Sequence, residues 1–245
     1  MQIKVLTFNI HHGKGLDKMV NLRRISNVIK SSKANIIGLN EVDKHFSKRS
    51  DYEDQAQWLA KDLNMEYVFG PAITLRGKGQ SSIRQYGNAL LTQFPIIKSK
   101  NHPFDFLPRV VEDRALLEVD IKVNNRILTI FVTHLSLAPF LHQKQTQFIL
   151  ETVAACNYVP IMMGDWNMKP FSKSWRLITS QLKDTNTDHK SNFTFPSRRP
   201  TMKLDYIFVN PQVEVLNAGS YAYDLQASDH LPFLATLKIN LCNDK

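Results

Sequence analysis

The chain has 245 residues, 43% of them hydrophobic and 22% charged, and carries a formal charge of +9 at pH 7. No apolar run approaches the roughly 20 residues of a membrane-crossing helix, and the first residues lack the basic, apolar and small-residue regions of a signal peptide, so a cytoplasmic protein without a transmembrane segment is expected. Lys and Arg are scattered, which fits an anionic partner, nucleic acid among them, without naming it; Cys156 and Cys242 offer neither a disulfide framework nor close metal-ligand spacing.

Taken in order, residues 2–9 alternate and turn polar at Asn9, which reads as a strand. Asn21 is placed to cap a helix with Leu22, Ile25, Val28 and Ile29 on one face. A short apolar run over 35–40 ends in Asn40-Glu41, and Asp51 is expected to cap a second helix that buries Ala56, Leu59 and Leu63. Gly77, Gly79 and Gly87 mark the next stretch as a loop before the strand Asn88–Thr92, and the Gly77-Lys78-Gly79 spacing is not that of a P-loop. Ala115–Val123 and Arg126–Thr133, joined by Asn124-Asn125, form the clearest hairpin, since Asn tolerates the positive φ of a tight turn. A helix over about 140–155, a strand at 159–163, a helix near 173–181 and strands near 204–209, 213–221 and 232–240 complete the series. With no repeat and no linker, residues 1–245 are expected to form one domain, a mixed sheet arrangement with helices outside.

The informative pattern is at the strand ends. Six times an apolar run closes in a polar cluster: Phe8-Asn9, Leu39-Asn40-Glu41, Thr133-His134, Gly164-Asp165-Trp166-Asn167, Leu204-Asp205-Tyr206 and Ser228-Asp229-His230. Each alone reads as a turn, a cap or a core-edge histidine. Together they place carboxylates, amides and imidazoles on loops aimed by a rigid scaffold, where active sites are commonly built. Phosphoester hydrolysis needs charge neutralised on the phosphoryl oxygens, a positioned water and a stabilised leaving oxygen. Hard oxygen donors such as Glu41, Asn9 and Asp229 suit Mg²⁺ or Mn²⁺, and no Cys/His-rich cluster suggests a thiolate zinc site.

This ordered set, from residue 5 to residue 235, resembles the endonuclease/exonuclease/phosphatase superfamily, which includes pancreatic-type DNases. The resemblance implies an α/β four-layer sandwich, two mixed β-sheets packed face to face with helices outside, and a Mg²⁺- or Mn²⁺-dependent hydrolase that cleaves a phosphoester, above all a phosphodiester, with activated water. It assigns Glu41 as the principal metal carboxylate, with Asn9 in the same site and Asp229 as a further metal-side carboxylate. Asp165 and Asn167 match the pair that positions water and contacts phosphate. His230 with Asp205 matches a histidine–aspartate dyad, taken ahead of Asp165 as the general base, and His134 matches a second phosphate-contacting or acid-side residue. Arg114 and Asn88 fall where relatives place substrate contacts, an ion pair and a turn being their structural alternatives.

Two histidines after the first strand, His11 and His12, follow Asn9 closely enough to line the site but read first as solvated loop residues, and Arg49-Ser50 and Arg198-Arg199 are placed to grip a substrate anion but read first as surface charge. His11 stands where repair nucleases carry an acidic residue, Asn40 where they carry Gln, and His134 where many abasic-site nucleases carry Tyr. The substrate therefore stays open between DNA or RNA and a phospholipid or inositol-phosphate head group. A non-catalytic binding module on the same scaffold is the weaker alternative, because Glu41, Asp165 and His230 are all present. A serine hydrolase is excluded, since no Gly-x-Ser-x-Gly elbow occurs. A monomer acting on an anionic phosphoester is expected.

Overall fold

A computed structural model describes residues 1–76, 83–105, 113–186, 188 and 191–239. Gly77, Lys78, Gly79, Glu112 and Cys242 lie outside the described residues. Among those described, no helix is long and apolar enough to cross a membrane.

Alternation is the property that builds the sandwich. In β1 (Gln2–Asn9), Ile3 and Val5 face one way while Leu6 and Phe8 face the other. The first pair joins Ile36 of β2 (Ile36–Lys44), Leu90 of β4 (Ile83–Thr92) and Phe233 and Ala235 of β12 (Phe233–Lys238) in a core between two sheets. The opposite wall of that core comes from β6 (Ala115–Val123), β7 (Arg126–His134), β8 (Val159–Asp165) and β10 (Asp205–Val209), through Val119, Ile130, Val132, Ile161, Met163 and Ile207. With β3 (Glu66–Arg76), β5 (Ile96–Pro103), β9 (Lys183–Asp184) and β11 (Glu214–Ser220) added, the described strands make two six-stranded sheets, ordered β11-β12-β1-β2-β4-β3 and β5-β6-β7-β8-β10-β9. Both sheets are mixed: β1–β2 and β7–β8 pair in parallel, their neighbours antiparallel.

The outward faces are covered by helices. Leu6, Phe8, Ile37 and Leu39 pack on α1 (Leu22–Ser32) and α2 (Gln55–Leu63); Phe131, Met162 and Phe208 pack on α3 (Pro139–Ala154) and α4 (Lys173–Thr179). The four-layer arrangement implied by the resemblance is therefore the observed one. Asn21 caps α1, its side chain accepting from the Arg24 N–H at 3.1 Å. Asn21→Ala should lower the unfolding free energy by about 1 kcal/mol; a change of less than about 0.3 kcal/mol in urea titration would show the cap to be dispensable.

Three expectations are corrected. The cap of α2 is Asp54, whose carboxylate accepts from the Gln57 N–H, while Asp51 ends a 3-10 turn in left-handed backbone. Gly87 is inside β4, not in a loop, because β3 approaches so closely that a Cβ there would lie 2.2 Å from the Gly70 carbonyl oxygen. β3, β5 and the two-residue β9 were not expected; the exposed faces and prolines of β3 and β5 (Pro71, Pro103) erase the alternation that marks inner strands.

Candidate active site

The inward-facing stripe of several strands changes from apolar to polar at the same end of the sandwich. Asn9 follows Ile3, Val5 and Thr7; His134 follows Leu128, Ile130 and Val132; Asp165 follows Ile161 and Met163. Pairing sets these residues side by side: Asn9 opposite Asn40, His134 opposite Asp165, and Asp165 opposite Asp205. Cross-strand neighbours sit about 5 Å apart, so side chains distant in sequence share one cleft mouth. That cleft, about 500 Å³, is lined by Glu41, Arg114, His134, Asp165, Asn167 and His230. Leu137, Met168, Phe195, Met202 and Leu204 form its apolar part, with Lys169 at the rim.

Asn9 holds two carboxylates apart, its Nδ2 donating at 3.0 Å both to Glu41 Oε1 and to Asp165 Oδ2, while its Oδ1 accepts from the His11 N–H. Its Nδ2 thus spaces the two carboxylates, and its Oδ1 retains one lone pair beyond the bond to the His11 N–H. Glu41 reaches the cleft through a break in β2. The pairing with β4 shifts between Leu39 and Val42, and Glu41 adopts φ 58°. Regular alternation would send Glu41 to the same side as Leu39; the bulge re-aims it. Asn40 ties the sheets together, accepting from the Asp165 N–H and donating to Asn88 Oδ1 and the Thr133 carbonyl. Asn88 in turn donates to the Ala115 carbonyl. Asn88 stands behind Asn40 in this buried network rather than on the cleft wall, away from the substrate contact expected of it.

In the second sheet, Arg114 Nη1 lies 2.7 Å from His134 Nδ1. A guanidinium only donates, so Nδ1 accepts and the His134 proton sits on Nε2, 3.5 Å from Asp165 Oδ2. Burial, then Arg114 and His230, hold the His134 pKa well below the usual imidazole range. The expected dyad is present: His230 Nδ1 donates to Asp205 Oδ2 at 2.8 Å, and His230 Nε2 stands 3.7 Å from Asp165 Oδ2. Burial opposes the imidazolium, but the Asp205 and Asp165 charges outweigh it and raise the His230 pKa to about 10. Asp165 is raised to about 7, by burial first and then by Asp205, against the pull of His230. One Asn167 N–H is held by the Leu135 carbonyl, and the Asn167 backbone N–H by Asp165 Oδ1.

Asp229 is more open and lies 3.5 Å from the His11 ring. His12, expected in solvent, is 8% exposed; burial, then Arg49 and His11, lower its pKa to about 4. Arg49 is not free surface charge: it makes two bonds to the fully buried Asp43 carboxylate. Arg198 and Arg199 are exposed as expected.

Two supporting residues had no signal strong enough to mark them. His142 of α3 donates from Nε2 to the Trp166 carbonyl and accepts from Ser174 Oγ, pinning the turn between Asp165 and Asn167; in sequence it looked like one more polar helix position. Lys203, 1% exposed, donates to the Asp205 carbonyl and lies over the Phe233 and Tyr206 rings. Burial lowers its pKa to about 8. A buried lysine two residues before Asp205 was readable only as a strand-edge charge.

A model of the Endonuclease/Exonuclease/phosphatase family matches residues 6–230. Among solved structures, an endonuclease/exonuclease/phosphatase from Beutenbergia cavernae DSM 12333 is 23% identical with a TM-score of 0.79, over 97% of this chain and 72% of that one. One from Bacteroides vulgatus is 20% identical with a TM-score of 0.77, over 98% and 100%. The mannosyl-6-phosphatase of Bacteroides thetaiotaomicron VPI-5482 is 17% identical with a TM-score of 0.77, over 97% and 100%. At these identities the likeness is one of fold. Comparison with curated protein sequences gave no match.

Proposed function

This chain belongs to the endonuclease/exonuclease/phosphatase family, whose members are hydrolases of phosphoester bonds, and from that premise we propose that it hydrolyses a phosphodiester with water, using Mg²⁺ or Mn²⁺. The observation that carries this reading is the convergence of Glu41, His134, Asp165, Asn167 and His230, from both sheets, on one cleft. The donor set fits a hard divalent cation: Glu41 lines the cleft, and Asp229 is partly exposed beside His11. Held there, such an ion supplies Lewis-acid stabilisation of the phosphoryl and leaving oxygens.

The remaining chemistry falls to the chain itself. His230 as imidazolium places a positive charge beside the phosphoryl oxygens, with Asp205 fixing its ring. His134, proton on Nε2 and ring held by Arg114, donates a hydrogen bond into the same space. Asp165, raised towards neutrality, has a pKa matched to taking the proton of the attacking water, and Asn167 keeps amide groups for a phosphoryl oxygen. These charge states favour Asp165 over His230 as the base, the reverse of the order expected from sequence. The +9 charge supports an anionic substrate, nucleic acid or an anionic head group.

The test is hydrolysis of bis-p-nitrophenyl phosphate, DNA, RNA, sphingomyelin, inositol phosphates and a hexose 6-phosphate, each with Mg²⁺, with Mn²⁺ and with EDTA. The last monoester is included because a protein of this fold is described as a mannosyl-6-phosphatase. Activity is expected with metal only, and Glu41→Ala should lower it by about 10²- to 10⁴-fold. Full activity in excess EDTA, or none on any substrate with metal, would end this reading.

A further inference from the structure

Where β1 ends, the backbone turns sharply and presents two adjacent imidazoles to Glu41. His11 and His12 are both left-handed, with φ of 46° and 45°. Such conformations are uncommon outside glycine, so they persist where the surroundings hold them. Here the Asn9 side chain accepts the His11 N–H, and Gln55 Nε2 donates to the His12 carbonyl. The result brings one nitrogen of each ring and one Glu41 oxygen within 4.8 Å of one another. His12 is 8% exposed. Its neighbour Arg49 is already neutralised by two bonds to Asp43.

We propose that His11 and His12 join Glu41 in a mixed imidazole–carboxylate cation site, so that this chain takes a divalent transition ion such as Mn²⁺ or Co²⁺ in preference to Mg²⁺. The inference rests on the reading that a cation sits beside Glu41, and it concerns which ion and which ligands. Ligand atoms at bonds of roughly 2.1 Å lie about 3 to 4 Å apart around one ion, so a grouping within 4.8 Å closes on an ion by side-chain adjustment alone. Mg²⁺ demands a near-ideal octahedron of oxygen donors and keeps its waters, whereas affinity for a nitrogen-containing site rises from Mn²⁺ to Co²⁺ along the transition series. Asp229, 3.5 Å from the His11 ring, adds a carboxylate on the same side. The two rings cross edge to face with centroids 4.6 Å apart.

The experiment uses the full chain loaded with one equivalent of Mn²⁺, examined by pulsed electron paramagnetic resonance for ¹⁴N couplings of coordinated imidazole. Mn²⁺ and Mg²⁺ affinities are measured by calorimetry on wild type and on the His11→Asn, His12→Asn double variant. Asn tolerates positive φ, so the turn should keep its shape, and circular dichroism checks that the variant is folded. Expected are ¹⁴N couplings and tighter Mn²⁺ than Mg²⁺ binding in wild type. In the variant the couplings should vanish and Mn²⁺ affinity fall by about 10-fold or more, with Mg²⁺ little changed. Mn²⁺ bound without nitrogen coupling, or a Mn²⁺-to-Mg²⁺ preference unaltered in the variant, overturns the proposal. Nitrogen coupling without hydrolysis of any substrate would support this site and sink the phosphodiesterase reading; hydrolysis with metal but no nitrogen coupling would do the opposite.

Discussion

Replacing His230 by alanine is expected to lower kcat on a phosphodiester by about three orders of magnitude, and Asp205→Asn to draw the alkaline limb of the pH–rate profile down from about pH 10 towards neutrality. Burial alone would strip the proton from His230, but Asp205 at 2.8 Å and Asp165 at 3.7 Å keep it as a cation. Losing the ring removes that positive charge from beside the phosphate. It also leaves Asp205, fully buried and with Oδ1 already without a hydrogen-bond partner among the described residues, as a carboxylate lacking its counter-charge.

The pH dependence follows from the signs of two shifts. Asp165 must be ionised to accept a proton, so activity should climb as pH rises through about 7. His230 must be protonated to stabilise the phosphoryl charge, so activity should fall as pH rises through about 10. In Asp205→Asn the amide oxygen can still accept the His230 N–H, but the field that holds the proton is gone, and the plateau narrows from its alkaline side. Initial rates from about pH 5.5 to 10.5 on both proteins decide it. Coincident alkaline limbs would show that Asp205 does not set the charge of His230.

Gly164→Ala carries the second large effect, on stability and activity together. Gly164 has φ 150°, and a Cβ there would lie 1.9 Å from the Thr133 carbonyl oxygen. Gly164 is paired on both sides, to Thr133 in β7 and to Tyr206 in β10, so neither neighbour has room to yield. The variant should lose about 3 kcal/mol of unfolding free energy. Because Asp165 is the next residue, and its N–H is held by Asn40 Oδ1, relief of the clash should also displace the carboxylate and cut activity by about 10²-fold. Urea unfolding and phosphodiester kinetics on the same sample test both; a loss below about 1 kcal/mol with wild-type kcat would contradict the close approach of β7 to β8.

What could be read in the residues was whatever depends on local period and order. Inner strands alternate, so β1, β6, β7, β8 and β10 were placed within a few residues, and the polar residues that end their inward stripes were recognised as one set. Asn21 was readable as a cap because its bond is to a residue three positions on. The edge strands β3 and β5 were not readable, since their largely exposed residues show no alternation and each contains a proline, whereas β11, also at an edge, was placed within a residue. Nor was Asp54 over Asp51, because which of two nearby carboxylates caps α2 depends on where the preceding 3-10 turn ends.

The order of residue types along the strands therefore determined the layers and brought Asn9, His134, Asp165 and Asp205 to one end of them. The tertiary structure alone decided that a bulge turns Glu41 inward, that Asn88 is a brace behind Asn40, that His12 is buried, and that Asp165 and His230 hold the charge states they do. The reason is physical: alternation is a property of neighbours along the chain, whereas desolvation and Coulomb attraction depend on distances between residues that only folding sets.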